Sequence, residues 1–316
     1  MKNLLLSSTI LIAAFGTSAL AQSAGFQGGE LALSYTGIDN DNLDNPISNF
    51  SGNFATAYNI SPAIGIQLGA GYNSFSLEEG DTAYSIDMTD INAHAYYNFG
   101  ENGKAGLFVA RYSLSDLSLE QIGGPGTAVI PISSDLLTYG IEGRMNYGAL
   151  NIELRYGMAD VQNSLILDAI DSSLLDISFV TAEAGYAVSP KLEITANLAN
   201  TRVAYDGDSI ELFAYGIGAE YEVITSLKVV AGINGGKLSS SLGPETIDMF
   251  GYSLGAEYEL AAGGIGDNGI TLFASFGSTN ISGFGGIDED LKTYSIGASI
   301  PFGGGSDDLY SRIQLF

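Results

Sequence analysis

Residues 22–302 alternate apolar and polar positions with a period of two, which is typical of β-strands. The segment LNIELRYGM at 150–158 places Leu, Ile, Leu, Tyr and Met on one face and Asn, Glu, Arg and Gly on the other. KLEITANL at 191–198 and YGIEGRMNY at 139–147 follow the same design, and helical periodicity is almost absent. These runs predict about fourteen strands (between roughly 12 and 16), paired into hairpins.

The connections between these runs fall into two alternating kinds. The short kind is ISPAI at 60–64, YGAL at 147–150, VSPKL at 188–192 and VITSL at 223–227. The long, polar and acidic kind covers 37–49, 120–135, 160–176 and 278–292. Tight turns that alternate with long loops are the layout of a transmembrane β-barrel. The pattern therefore predicts an all-β fold, an up-and-down antiparallel transmembrane β-barrel over residues 22–302.

One hairpin can be checked by its register. A two-residue turn at Gly148 and Ala149 puts Glu142 opposite Arg155 and Arg144 opposite Glu153 on the polar face. The same register pairs apolar residues on the other face, which is the cross-strand complementarity expected of a real ladder. An exposed, salt-bridged hairpin on a soluble protein would have the same register and the same pairs of charges.

The run YGIGAEYEV at 215–223, nearly repeated as YSLGAEYEL at 252–260, indicates which face points outward. From Phe213 to Val223 there are ten residue steps, which at a tilt near 45° span about 23 Å, close to the apolar band of about 25 Å of a membrane barrel. Aromatic residues near both ends fit two interfacial girdles. The apolar face is therefore predicted to meet lipid, and the glutamates to face the lumen.

Charge and composition exclude several classes of partner and chemistry. The chain has 36 Asp plus Glu against 11 Lys plus Arg, a formal net charge of −25, which argues against nucleic acid as a partner. Cysteine is absent and His94 is the single histidine, so disulfides, thiol nucleophiles and most zinc sites are excluded. No cofactor and no metal site is predicted.

The first 21 residues, MKNLLLSSTILIAAFGTSALA, have the features of a secretory signal peptide. A basic start, a short apolar stretch and the small residues Ala19-Leu20-Ala21 predict cleavage after Ala21. A membrane anchor helix would need a longer apolar run, and none of about 20 residues follows.

The segment SIGASIPF at 295–302 has the form of a terminal-strand assembly signal, polar-x-Gly-x-x-hydrophobic-x-hydrophobic. Its positions are filled by Ser295, Gly297, Ile300 and Phe302. In this feature and in its layout the chain resembles Gram-negative outer-membrane β-barrels of the porin type. The resemblance implies a place in the outer membrane, contact with its lipid and lipopolysaccharide, and recognition by the barrel-assembly machinery. In that family the signal normally ends the chain, whereas here residues 303–316 follow, interpreted as a periplasmic tail.

The predicted inward face is rich in carboxylates, and rings of Asp or Glu favour cations. The charged residues predicted to line a pore are Arg111, Glu142, Arg144, Glu153, Arg155, Glu183, Glu220, Glu222, Lys228, Glu257 and Glu259, with Glu193 on the same face. The function predicted is a channel for passive diffusion of small hydrophilic solutes, mildly selective for cations. The sequence leaves open whether the barrel is a homotrimer.

Three rival interpretations stay open at this stage. The first is a non-conducting structural or adhesion barrel whose acidic loops bind other surfaces. The second is an outer-membrane enzyme that uses His94, although no nucleophile lies near it in sequence and no enzymatic activity is predicted. The third is a secreted soluble β-protein. The acidic run DNDNLD at 39–44 lacks the Gly and Glu positions of a calcium loop. Loose Mg²⁺ or Ca²⁺ bridging to lipopolysaccharide is the binding considered there.

Overall fold

The computed structural model describes residues 25–40, 45–100, 103–121, 127–162, 175–241, 243, 246–260, 269–283 and 287–303. Its strands are β1 (Gly25–Asn40), β2 (Ile47–Ser61), β3 (Ile64–Glu79), β4 (Thr82–Asn98), β5 (Gly103–Leu114), β6 (Leu117–Gln121), β7 (Thr127–Ile130), β8 (Ser134–Tyr147), β9 (Leu150–Gln162), β10 (Leu175–Ser189), β11 (Leu192–Tyr205), β12 (Asp208–Ile224), β13 (Leu227–Ser240), β14 (Thr246–Leu260), β15 (Ile270–Gly283) and β16 (Ile287–Phe302). Among these residues no helix is long and apolar enough to cross a membrane.

Fourteen of these strands form a closed antiparallel barrel. Each pairs with its neighbour along the chain, with β8 following β5, and β1 pairs with β16 to close the sheet. The closing ladder runs from the Gly29–Phe302 pair to the Asn40–Leu291 pair. The predicted fold, an up-and-down antiparallel barrel of about fourteen strands, is confirmed.

The two remaining strands, β6 and β7, form a hairpin that continues beyond the barrel wall. β6 pairs with the start of β4, and β7 pairs with β6. Asp116 holds the base of this hairpin, because its Oδ1 accepts hydrogen bonds from the backbone N–H groups of Ile132 (3.2 Å) and Ser133 (3.0 Å). Hydrogen bonds from the Ser133 side chain and backbone, and from Ile132, lower the pKa of Asp116.

The two ends of the barrel differ in their connections. Tight turns at 62–63, 148–149, 190–191 and 225–226 lie at one end, which we call the turn end, and the longer connections lie mostly at the other, the loop end. Short and long connections alternate less regularly than predicted. Residues 80–81 and 206–207 make two-residue turns at the loop end, and nine residues, 261–269, join two strands at the turn end.

Much of the sequence predicted as long loops belongs to strands. β1 continues to Asn40, and only residues 284–286 separate β15 from β16. Polar strands can continue here because backbone pairing satisfies the N–H and C=O groups whatever the side chain. The turn at 206–207 is tight because Asp206 (φ 48°) and Gly207 (φ 92°) both take positive φ, as a type I′ hairpin turn requires.

The barrel is apolar outside and polar inside. Phe213, Ile217 and Tyr221 on β12 are 41%, 53% and 50% exposed, whereas Gly216, on the opposite face of the same strand, is buried. The inward residues Asn59, Gln67, His94, Thr138 and Glu142 are buried polar groups. A soluble sheet would have the reverse arrangement, so the sidedness is the one that the alternation predicts.

Several predictions concern residues that the structure does not describe. The signal peptide at 1–21, residues 304–316 of the tail, 41–44 of DNDNLD and 163–174 of the long loop lie outside the described ranges.

Candidate functional site

Five inward carboxylates lie on neighbouring strands near the turn end, and we call this surface the carboxylate wall. It consists of Glu193 on β11, Glu220 and Glu222 on β12, and Glu257 and Glu259 on β14, with Lys228 on β13 between them. The ladder brings them together because Glu193 lies opposite Glu220, and Lys228 lies opposite both Glu222 and Glu257. Each of these residues lies on the polar face of its strand, so all of them face the lumen.

One lysine partly compensates this wall. The Nζ atom of Lys228 lies 2.6 Å from Oε1 of Glu220, and the lysine side chain keeps 31% of its surface exposed. Glu257 is buried to 6% exposure. Five carboxylates against one ammonium group leave an excess of negative charge on this side of the lumen, which lowers the energy of a cation there.

A second group of charged residues lies on β4, β8 and β9, and we call it the buried ion-pair cluster. Nδ1 of His94 donates to Oε1 of Glu142 at 2.8 Å, and Nε of Arg155 donates to Oε2 of the same carboxylate at 3.2 Å. Arg155 also forms an ion pair with Glu153 through Nη2. All four residues are at most 6% exposed. Because each carboxylate has a cationic or N–H partner, this cluster contributes far less net field than the carboxylate wall.

Aromatic rings pack beside this cluster on the inner face. Phe108 and Phe179 are buried, with ring centroids 6.0 Å apart. Their rings lie over Gly157, where a Cβ atom would overlap Phe179 and lie 2.8 Å from Phe108. Glycine at this position therefore makes room for two aromatic side chains inside the barrel.

Two other predicted lining residues face inward, and one does not. Arg144 lies opposite Lys104 and Glu153, and Glu183 lies opposite Glu153 on the next strand. Arg111, predicted to line the pore, lies on the outer wall instead. Its Nη2 atom is 2.7 Å from Oδ2 of Asp135, and its side chain is 58% exposed.

The error at Arg111 comes from the side chains around it. The inward positions of β5 include the aromatic residues Phe108 and Tyr112. Both faces of this strand therefore carry apolar side chains, and hydrophobicity alone does not tell which face is the outer wall. The register decides the face, because Arg111 lies opposite Ile91, whose side chain is 69% exposed on the outer wall.

Sequence reasoning also missed Lys104, which is buried on the inner face at 5% exposure. Its Nζ lies 4.9 Å from the centroid of the Tyr96 ring, a cation–π contact. Residues 99–102 connect β4 to β5, and in the resulting ladder Lys104 lies opposite Asn98. Extending the predicted hairpin register to this pair would have identified Lys104 as an inward residue.

The residues of the assembly signal all lie on β16, which closes the barrel. The Ser295 hydroxyl lies 2.8 Å from that of Thr36 across the closing ladder, and Ile300 lies opposite Leu31. Phe302 stacks between Phe26 and Phe54, with ring centroids 6.1 and 5.8 Å apart. The Phe273 ring covers Gly297. The same residues that form the sequence signal therefore hold the seam of the folded barrel.

Comparison with known proteins supports this fold. Residues 7–121 match the family model described as an outer membrane protein beta-barrel domain. A search of curated protein sequences gives no match.

Solved outer-membrane proteins have a similar structure at low sequence identity. CdiB from Acinetobacter baumannii superposes with a TM-score of 0.54 at 9% identity, over 86% of this chain and 60% of that one. A FadL homologue from Pseudomonas aeruginosa gives 0.53 at 12% identity, over 88% and 90%. Outer-membrane expressed OmpT of Vibrio cholerae gives 0.50 at 11% identity, over 90% and 100%. The chain has the fold of outer-membrane β-barrels. Identities this low show the fold and nothing finer.

Proposed function

We propose that the protein is an outer-membrane channel of the porin type, through which small hydrophilic solutes diffuse passively, with a preference for cations. The observation that carries this proposal is the carboxylate wall inside a closed barrel of fourteen strands. An interior of about 8 strands is filled by side chains, whereas 16 to 18 strands leave an aqueous channel, and fourteen lies near the second case.

The outer-membrane location is supported by the outer wall and by the comparisons. The wall exposes large apolar and aromatic side chains that would be unfavourable in water. The first third of the chain matches an outer-membrane family model. In this proposal residues 1–21 are cleaved as a signal peptide, the barrel-assembly machinery inserts the chain, the turn end faces the periplasm, and residues 303–316 form a periplasmic tail.

The preference for cations follows from the unequal pairing of charges inside the barrel. The carboxylates of the buried ion-pair cluster have partners in Arg155 and His94, while those of the carboxylate wall share Lys228. A solute that passes the wall meets an unbalanced negative potential, which attracts cations and repels anions.

His94 has a structural role in this proposal, and the protein is not an enzyme. The imidazole is 3% exposed and hydrogen-bonded to Glu142, so it positions that carboxylate beside Arg155. A variant His94→Gln should therefore keep the permeability of the channel.

The rival function is a non-conducting structural or adhesion barrel. The β6–β7 hairpin favours it, because this hairpin extends past the barrel wall and exposes Val129 (56%) and Ile130 (44%). An adhesion surface of this kind would function without solute flow.

Liposome permeability separates the two functions. Vesicles that contain the refolded barrel should swell in small cationic solutes faster than in anionic solutes of equal size. In a variant with Glu220, Glu222, Glu257 and Glu259 changed to Gln, this difference should shrink. The matched control changes Asp39, Glu211, Asp248 and Asp290 to Asn or Gln, which removes four charges outside the lumen and should leave the difference intact. Inserted barrels that never swell the vesicles would favour the adhesion function.

A further inference from the structure

The inner face of the barrel is polar over most of its length but becomes apolar near the loop end. Leu212 on β12 lies opposite Leu238 on β13, and Leu238 lies opposite Ile247 on β14. Leu212 is four residues from the buried Gly216, and residues an even number apart share a face of a strand. Three neighbouring strands therefore line this side of the lumen with apolar side chains.

The same lining is found across the barrel. Met88 on β4 lies opposite Leu114 on β5, and Leu136 lies on the inner face of β8. Met88 is six residues from the inward His94, and Leu136 is two residues from the inward Thr138. Met88, Leu114 and Leu136 are all partly exposed, so their side chains border the lumen.

Apolar side chains from the remaining strands close the ring. Ile38 on β1, Ile281 on β15 and Leu291 on β16 are buried against one another on the inner face. The other barrel strands add one residue each: Ile47, Phe75, Val161, Ile177 and Val203. Each of the fourteen strands thus places an apolar residue on the inner face near the loop end, and we call this ring the apolar collar.

Short side chains separate the collar from the carboxylate wall. On β12 the eight residue steps from Leu212 to Glu220 span about 26 Å along the strand. The inward positions between the two surfaces on β12 and β14 are Ala214, Gly216, Gly218, Gly251, Ser253 and Gly255. The lumen is therefore apolar at the loop end and negatively charged near the turn end.

We propose that the apolar collar and the carboxylate wall together make the lumen selective for amphiphilic organic cations. These solutes are alkyl or aryl amines with one protonated nitrogen. The collar binds the apolar group as the solute enters from the loop end, and the carboxylate wall attracts the ammonium group as it moves on. The inference rests on the channel function proposed above and names the class of solute that this channel favours.

The two surfaces act as filters in series. A small inorganic or hydroxylated cation loses part of its hydration at an apolar ring and gains no contact in return. An alkyl or aryl group is stabilised there, because apolar surface leaves water. The negative potential of the carboxylate wall then disfavours amphiphiles that carry a carboxylate. Amphiphilic cations are the class of solute that both surfaces favour.

The test compares permeant ions of equal size and charge. Reversal potentials of the refolded protein in a planar bilayer give the permeabilities of propylammonium and ethanolammonium, which differ by a methyl group in place of a hydroxyl. Propylammonium should be about four-fold more permeant, roughly the gain from burying one CH₂ group. From methylammonium to butylammonium the permeability should rise about two-fold per CH₂ if the collar covers half of each group. In a purely aqueous pore it would fall with size, and butyrate should be less permeant than butylammonium.

Two substitutions on the inner face of β13 separate the collar from the rest of the lumen. Leu238→Asn makes one position of the collar polar without a change of charge and should lower the ratio of propylammonium to ethanolammonium permeability about two-fold. Val230→Asn is the matched control, because Val230 lies outside the collar and opposite Glu220, and it should leave this ratio unchanged. Heat-modifiable gel mobility confirms that both variants fold.

The carboxylate wall should act on both amines alike. Changing Glu220, Glu222, Glu257 and Glu259 to Gln should lower the permeability of propylammonium and of ethanolammonium relative to Cl⁻ by the same factor. The ratio of the two amines should stay as in the wild type, because the collar is intact. A loss of this ratio in the Gln variant would overturn the division of roles between the two surfaces.

A binding measurement separates failure of this inference from failure of the channel. The sequence contains no tryptophan, so Leu238→Trp places a single tryptophan in the collar. Propylammonium should displace water from this ring and shift its emission to shorter wavelengths more than ethanolammonium does, and Val230→Trp should show no such difference. A barrel that inserts, passes no current and shows this shift would contradict the channel and support the collar. Equal permeabilities of the two amines, or equal ratios in Leu238→Asn and Val230→Asn, would overturn the role of the collar.

Discussion

The Nζ atom of Lys228 lies 2.6 Å from Oε1 of Glu220, and this ammonium group is the cation of the carboxylate wall. Lys228→Gln should therefore raise the permeability of K⁺ relative to Cl⁻. A unit charge about 8 Å from the ion path in water changes an ion's energy by about 0.5 kcal/mol, with opposite sign for K⁺ and Cl⁻, so the ratio of their permeabilities should rise about six-fold. Reversal potentials in a KCl gradient measure it.

The control for this change is Arg111→Gln. It removes the same charge from the outer wall, where Arg111 pairs with Asp135, and should leave the reversal potential unchanged. An equal shift in both variants would show that total charge, and not the lumen, sets the selectivity.

The buried ion-pair cluster should matter more for stability than for selectivity. Arg155→Met leaves the buried Glu142 and Glu153 without their guanidinium partner and should lower the free energy of unfolding by about 3–5 kcal/mol. Arg202→Met breaks an exposed pair with Glu211, whose atoms are 3.8 Å apart, and should cost at most about 1 kcal/mol. Urea unfolding in lipid vesicles compares the two, and equal losses would contradict the role assigned to burial.

The packing of rings over glycine predicts a clear difference between two valine substitutions. Gly157→Val would push against Phe108 and Phe179 and should destabilise the barrel by about 1–3 kcal/mol. At Gly143 the nearest atom to an added Cβ is the Lys104 carbonyl oxygen at 3.7 Å, an ordinary contact, so Gly143→Val should cost much less. The yield of heat-modifiable folded protein and the urea midpoint both measure this difference.

The base of the β6–β7 hairpin should open in acid. Hydrogen bonds from Ser133 and Ile132 hold the pKa of Asp116 below its ordinary value of 3.8, so they favour the ionised carboxylate. A lowered folded-state pKa gives stability that is present above the unfolded value and lost as the pH falls through the folded one. The protection factors of the Ile132 and Ser133 amides, which correct for the intrinsic pH dependence of exchange, should therefore fall below that pH, and Asp116→Ala should lower them at neutral pH as well. Protection factors in the wild type that stay constant with pH would show that the carboxylate does not hold the hairpin.

The fold was predictable because period-two alternation is a local property of each strand. The Glu142–Arg155 and Arg144–Glu153 pairs follow from a two-residue turn, and the structure has this register. Loop lengths were harder to predict, since polar segments such as 287–292 pair as strands through their backbone, which leaves no signal in hydrophobicity.

The site was predictable where one face of a strand is uniformly apolar. On β12 and β14 the aromatic residues all face outward, so the glutamates between them had to face inward. On β5 the inner face contains Phe108 and Tyr112, which pack within the barrel, and the alternation then no longer distinguishes the two faces.

The central claim, an open lumen that favours cations, is tested most directly by current through a planar lipid bilayer that contains the refolded protein in a KCl gradient. Discrete conductance steps with a reversal potential that favours K⁺ are the predicted result. A barrel that inserts and passes no current, or one whose reversal potential favours Cl⁻, would contradict the account.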